Sequence, residues 1–237
     1  MALPRRLDAA AVAFAAVLPT AVTAIYFLAL SHHPTEVQQA AWVLGKVGQF
    51  IFPAVWVLAV QRSRVGMGPG WQRGLGVGVA SGAVVLVGIL AAYHLWLGPA
   101  GVFEVPAVAM RAKLIELGLD SPARYIAFAT FLSLAHSLLE EYYYRWFLFG
   151  QMRRLLPLGS AIALSSLAFT AHHVLVLAGF FGWTSPLTWL CVAGVGVGGA
   201  FWAWLYQRTG SLLGPWVSHL LVDVAIMAIG YELVLVV

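Results

Sequence analysis

Seven long apolar stretches follow one another along the chain, at about residues 9–30, 40–61, 74–97, 123–149, 158–180, 187–207 and 212–235, with short polar segments between them. Each is long enough for a bilayer crossing, which takes about 20 residues of helix. Each is also apolar all round, without the in–out alternation of a lipid-facing β-strand. Inside hydrocarbon the backbone must satisfy its own donors and acceptors, so all seven are predicted as helices. The first resembles a signal peptide, with Arg5 and Arg6 ahead of it. Its apolar run exceeds the 7–15 residues usual for a signal sequence, and it is read as an uncleaved span. Residues 103–119 mix Phe103, Val105, Val108, Leu114, Ile115 and Leu117 with charges. That mixture predicts an amphipathic helix lying on the outer interface, and an eighth short element near 102–118 is allowed.

The expected fold class is therefore all-α, a polytopic transmembrane helix bundle of about seven spans. The cations give its orientation. With the N-terminus inside, Arg5, Arg6, Arg62, Arg64, Arg73, Arg153, Arg154 and Arg208 fall on the inner side. Arg111, Lys113 and Arg124 fall outside, offset by Glu104, Glu116 and Asp120, while Lys46 and Arg145 lie within spans. The inner excess predicts N-in. No repeat or low-complexity linker divides the chain. One membrane domain is expected, with N-terminal helices over 1–122 and a helical bundle over 123–237.

Composition sharpens this picture. Of 237 residues, 62% are apolar and 9% charged, against roughly 45–50% and 25% in a soluble domain. So few charges exclude a soluble enzyme and a disordered chain. The net charge of +4 is spread between apolar runs, without the basic patch that nucleic acid requires. The lone Cys191 forms no internal disulfide. An integral protein of a bacterial-type cytoplasmic (inner) membrane is expected, with the lipid bilayer as its first partner. Glycines 74, 76, 78 and 82, and 194, 196, 198 and 199, lie inside apolar helices. They are read as close-packing positions rather than phosphate loops.

The informative residues are polar ones inside the last spans. "LLEEYYYRWF" carries Glu140, Glu141 and Arg145; "SSLAFTAHHVLVL" carries His172 and His173; "GPWVSHLLVDVAIM" carries His219 and Asp223. A charged group in mid-span costs about 2.5–3.5 kcal/mol on insertion scales, so such groups are expected to face one another. Helical spacing sorts them: Glu141 and Arg145 share a face, as do Phe169 and His173, and His219 and Asp223. Glu140 points about 100° away from Glu141. Measured at about 1.5 Å per residue, Glu140, His173 and His219 can all reach the middle or inner half of the bilayer.

Several uses of such a set are open. A Glu beside a His can hold and deprotonate a water, because out of water a carboxylate takes up a proton more readily. A second His can stabilise a developing oxyanion. The set holds no obvious Ser or Cys nucleophile paired with a base, Ser133, Ser137, Ser165, Ser166 and Ser218 being read as helix-packing hydroxyls, so water attack on an amide fits better than an acyl-enzyme. Zinc is the main competitor, held by Glu140, His173 and His219, although no H-E-x-x-H is present. A proton relay would use the same residue types, and a non-catalytic immunity or scaffold protein would need none of them.

The pattern Glu140-Glu141…Arg145, Phe169…His173, His219…Asp223 resembles that of the CPBP intramembrane proteases, the CAAX-protease and bacteriocin-processing (Abi) family. The similarity covers about residues 123–235. It implies an intramembrane endopeptidase, of glutamic or metallo type, that hydrolyses a peptide bond of a membrane-associated protein or peptide. Glu140 would be the base and His173 would help to hold the water. Glu141 and Arg145 would form an orienting ion pair, and His219 with Asp223 would line the oxyanion side. Many relatives carry Asn where this chain has Asp223. An ionised Asp would repel an oxyanion, so orienting His219 is its expected part.

Overall fold

The computed structural model describes residues 5–63 and 70–236. Arg64, counted above among the inner cations, lies outside the described residues. No strand occurs among those described, and the chain is all-α. The helices are α1 (Arg6–Ala29), α2 (Thr35–Val60), α3 (Leu75–Leu97), α4 (Glu104–Glu116), α5 (122–155), α6 (Leu158–Phe181), α7 (Pro186–Thr209) and α8 (Leu213–Val236). By length and composition, six of the described helices are able to cross a membrane, namely all but α4 and α5. The expected crossing at 123–149 lies within α5. That helix is long enough, but it carries Glu140, Glu141 and Arg145 in its midst. Residues 104–116 form the short helix expected within 103–119.

Many apolar side chains point away from protein. Leu44, Val84 and Val197 are each more than 70% exposed, at 72%, 73% and 71%. A water-soluble protein scatters such residues singly, whereas here they recur on every long helix, as lipid-facing surfaces require.

Several helices contain wide i→i+5 turns. Leu30 N–H donates to Ile25 O, Gln61 to Trp56 and Gly98 to Tyr93, closing α1, α2 and α3. Within α5 two longer wide runs, Phe131–His136 and Tyr142–Phe149, bracket the α-helical Ser137–Glu141. Wide turns in mid-helix are rare and concentrate at functional positions.

Two compact units emerge, each assembled from separated stretches of chain. The first comprises Met1–Trp71 and Tyr142–Gly210. Its interior is aromatic: Tyr143, Phe147, Leu148 and Phe149 are fully buried, and Tyr143 Oη donates to Ala15 O at 2.7 Å. Edge-on ring pairs Phe50–Tyr143 and Phe52–Phe147 join α2 to the same face. A polar clip closes one end of the unit. Gln61 Nε2 donates to Asp8 Oδ1 at 3.0 Å and to Gln151 Oε1 at 2.9 Å, linking three helices.

The second unit comprises Gln72–Glu141 and Ser211–Val237. Its main seam joins α3 to α8, and small residues make it possible. A Cβ on Gly78 would collide with the Gly214 carbonyl, and one on Gly82 would lie 2.9 Å from Ser218 Cα. Between these glycines, Ser81 Oγ meets Ser218 Oγ at 3.2 Å. Not every glycine of the run packs, since Gly76 faces open space. Two further bonds tie α5 to α8: Tyr125 Oη donates to Met227 O at 2.9 Å, and Trp216 Nε1 to Leu134 O at 3.0 Å.

Candidate active site

The second unit brings together four of the seven singled-out residues. Glu140 and Glu141 come from α5, His219 and Asp223 from α8, and Glu140, Glu141 and His219 are all buried. The imidazole of His219 is the centre of the group. Its Nδ1 lies 2.9 Å from Glu141 Oε1, and its Nε2 lies 3.8 Å from Glu140 Oε2 and 3.7 Å from Asp223 Oδ1. The 100° rotation between consecutive helical residues explains the arrangement. Glu140 and Glu141 cannot point one way, so they grip opposite edges of one ring. A carboxylate only accepts hydrogen bonds, so Nδ1–H donates to Glu141 and Nε2 is turned toward the other two acids. At 3.7–3.8 Å the two contacts of Nε2 are longer than hydrogen bonds, so these acids act on the ring through their charge.

A residue that the sequence reading did not single out completes the cluster. His136 Nε2 lies 3.3 Å from Glu140 Oε1, one helical turn before it. The signal was present as H-x-x-x-E at helical spacing, but one histidine on an apolar helix does not stand out. Glu140 thus has an imidazole at each oxygen.

The first unit holds Arg145, His172 and His173. Arg145 is almost completely buried, at 2% exposure. Its guanidinium lies 4.5 Å from the ring centroid of Phe169 and 5.1 Å from that of Trp202, and Nη2 donates to Gly199 O at 3.4 Å. Planar, weakly hydrated guanidinium suits such an aromatic enclosure far better than ammonium would. Gly199 makes room for it, because a Cβ there would sit 3.2 Å from Phe169 and 3.5 Å from Arg145 Nη2. One glycine of the second run therefore serves the arginine directly.

The two adjacent histidines divide their surroundings as their rotation on α6 dictates. His172 is buried, stacks on Tyr144 and places Nδ1 3.0 Å from its hydroxyl. His173, less buried, has Nδ1 2.9 Å from Phe169 O. A carbonyl only accepts, so Nδ1 carries the proton, and in the neutral ring Nε2 is the lone-pair nitrogen. That is the tautomer needed to accept a proton from water or to ligate a metal. The Phe169…His173 spacing thus fixes both the ring's tilted contact with Phe169, at 4.7 Å between centroids, and its proton.

For a metal, imidazole nitrogen and carboxylate oxygen, both present in this cluster, are of the donor types zinc takes. The Nδ1–Glu141 contact is the kind of outer hydrogen bond that orients a ligating imidazole. The same contacts equally suit a metal-free acid–base site. A recess of about 760 Å³ elsewhere in the second unit, lined by Tyr93, His94, Glu104, Arg111 and Glu232 among others, holds none of the singled-out residues.

Residues 122–225 match the family model described as Type II CAAX prenyl endopeptidase Rce1-like. This stretch is a CAAX-protease-family domain. It contains every residue of the Glu-Glu-Arg, Phe-His and His-Asp pattern, and its limits lie close to the 123–235 expected from those motifs. No curated protein and no solved structure matches the chain. The CAAX-protease domain marks the protein as a peptidase, and the long apolar helices mark it as integral to a membrane.

Proposed function

We propose that the protein is an intramembrane endopeptidase that cleaves a peptide bond of a membrane-associated protein or peptide with a water activated by Glu140. The observation that supports this most directly is the buried Glu140 carboxylate, set between the imidazoles of His136 and His219 inside the CAAX-protease domain. Carboxylates without such neighbours do not survive burial, and acids buried with titratable partners concentrate where protons are moved.

In the proposed reaction Glu140 takes a proton as the water oxygen attacks the scissile carbonyl carbon. The carbonyl oxygen becomes an oxyanion and accepts a hydrogen bond from His219 Nε2. The tetrahedral intermediate collapses as the C–N bond breaks, and the proton on Glu140 passes to the departing amine. Glu141, bonded to His219 Nδ1, holds the ring in the orientation this needs. Asp223, 3.7 Å from Nε2, is given an orienting part through its charge and not direct oxyanion binding. The family pattern gives His173 the task of helping to hold the water. Arg145, locked by Phe169 and Trp202, is assigned to orient Glu141. No metal enters this scheme. Were zinc bound, the Glu140 carboxylate and the His219 imidazole would be among its ligands, and it would supply Lewis-acid activation of the water.

The family's description suggests the first substrate to try, a peptide ending in a prenylated Cys-a-a-X motif. The purified protein in proteoliposomes is expected to release the terminal tripeptide from a farnesylated peptide, and Glu140→Ala and His173→Ala to abolish release while inserting normally. Full activity in either variant refutes the scheme. A comparison of membrane-protein termini in cells carrying wild type or Glu140→Ala extends the test to other substrates, and identical termini in the two would refute proteolysis as the function.

A further inference from the structure

We infer that His136 is a positioning residue for Glu140, a clamp that fixes one carboxylate oxygen so that the other meets the water. The inference rests on the reading of Glu140 as the base and adds a residue outside the family motifs quoted above.

Three observations carry it. His136 Nε2 lies 3.3 Å from Glu140 Oε1, while Oε2 faces His219 Nε2 at 3.8 Å, so the carboxylate is bracketed at both ends. The backbone that carries His136 is itself anchored. Trp216, one turn before His219 on α8, donates its indole N–H to Leu134 O at 3.0 Å, two residues before His136. The two imidazoles that hold Glu140 are thereby referenced to one another through a bond between their helices that lies close to both. Finally, His136 closes the wide run Phe131–His136, and regular α-helix begins at Ser137. The change of pitch falls between the clamp and the acid, where it sets the angle at which the imidazole addresses the carboxylate.

A glutamate side chain has three rotatable bonds, and its reach to a water must be fixed to within a fraction of an ångström. Misplacement by about 1 Å can cost about 100-fold in rate. His219 alone does not supply this constraint, because its short bond is to Glu141 and its contact with Glu140 is long. His136 supplies a shorter one, at 3.3 Å. Its side chain is 24% exposed where that of Glu140 is 4%, so the clamp stands on the outer side of the acid.

The test compares His136→Leu, which removes the ring nitrogens, with His136→Gln, whose amide nitrogen reaches the place of Nε2. Exposed Leu138 on the same helix supplies the control, Leu138→Ala. With the farnesylated peptide in proteoliposomes, His136→Leu is expected to lower kcat roughly 10- to 100-fold with KM changed less than about threefold. His136→Gln is expected to recover to within about fivefold of wild type, and Leu138→Ala to match it. Should the leucine variant fail to insert, His136→Met replaces it. A kcat near wild type in the apolar variant, or a glutamine variant as slow as the apolar one while normally folded, overturns the inference.

A second readout needs no substrate. The infrared carboxyl band that disappears in Glu140→Gln is expected to shift in His136→Leu and to return toward its wild-type position in His136→Gln. An unmoved band overturns the clamp. If wild type leaves the peptide uncut, or Glu140→Gln cuts it equally well, the proposed protease reaction fails on that substrate, and the band alone decides the part of His136.

Discussion

Gly76 and Gly78 sit two residues apart on α3, yet replacing each by alanine is expected to shift stability in opposite directions. An added methyl at Gly76 meets nothing within 4 Å. There the substitution keeps only its helix-propensity gain, about 0.5–1 kcal/mol. At Gly78 the methyl would land on the Gly214 carbonyl of α8, which is backbone and cannot rotate aside. The helices must then separate, and overpacking of this kind costs about 1–3 kcal/mol. The propensity gain, common to both sites, offsets part of that, leaving a net loss of up to about 2.5 kcal/mol and a difference between the variants equal to the overpacking cost, about 1–3 kcal/mol. Gly82→Ala, 2.9 Å from Ser218 Cα and from Leu221 Cδ1, is expected to follow Gly78. The assay is reversible unfolding of the purified protein by SDS titration, followed by tryptophan fluorescence. Activity should fall further than stability in Gly78→Ala and Gly82→Ala, because Ser218 on the seam immediately precedes His219. Equal midpoints for Gly76→Ala and Gly78→Ala would refute the close-contact reasoning.

Three further outcomes follow from the site. Glu141→Gln retains an acceptor for His219 Nδ1–H and should unfold within about 1 kcal/mol of wild type, whereas Glu141→Leu, which strands a buried imidazole, should lose about 3–5 kcal/mol; the same titration reads both. Arg145→Lys forfeits the planar stacking on Phe169 and Trp202 and should lose about 2–4 kcal/mol despite keeping its charge, and wild-type stability there would show the enclosure to be incidental. Elemental analysis of the purified protein should find zinc well below one equivalent, with activity unchanged by a chelator. Stoichiometric zinc that vanishes in Glu140→Ala would replace the metal-free scheme.

The apolar runs placed the helices well because hydrocarbon dictates their length. The expected 74–97 became Leu75–Leu97, and 158–180 became Leu158–Phe181. Polar flanks were less legible. The second helix begins at Thr35 and not near 40, and α5 runs on to Leu155, because helical hydrogen bonding continues past the residues that hydropathy marks. At the site, spacing found the acids and imidazoles but not all their partners. His219 lies closer to Glu141, 78 positions away in sequence, than to Asp223 one turn along its own helix. No local pattern encodes that choice, which depends on how α5 and α8 meet. His136 escaped notice for the opposite reason, since its signal is local but common. The grouping of helices into two compact units is likewise set by faces and seams that a linear pattern does not display.

The wide runs on either side of Ser137–Glu141 bear on how this protein is compared with others. Each loosened coil absorbs roughly one residue beyond the α-helical count, so residues upstream of His136 and downstream of Glu141 are out of phase with a ruler marked in regular turns. Deleting one residue from either run would leave hydropathy and motif letters almost untouched while swinging the neighbouring side chains to a different bearing. Alignments that slide one position within these stretches would therefore pair residues that share a column but not a direction, and Glu140 and Glu141 are the fixed points from which the register should be counted outward.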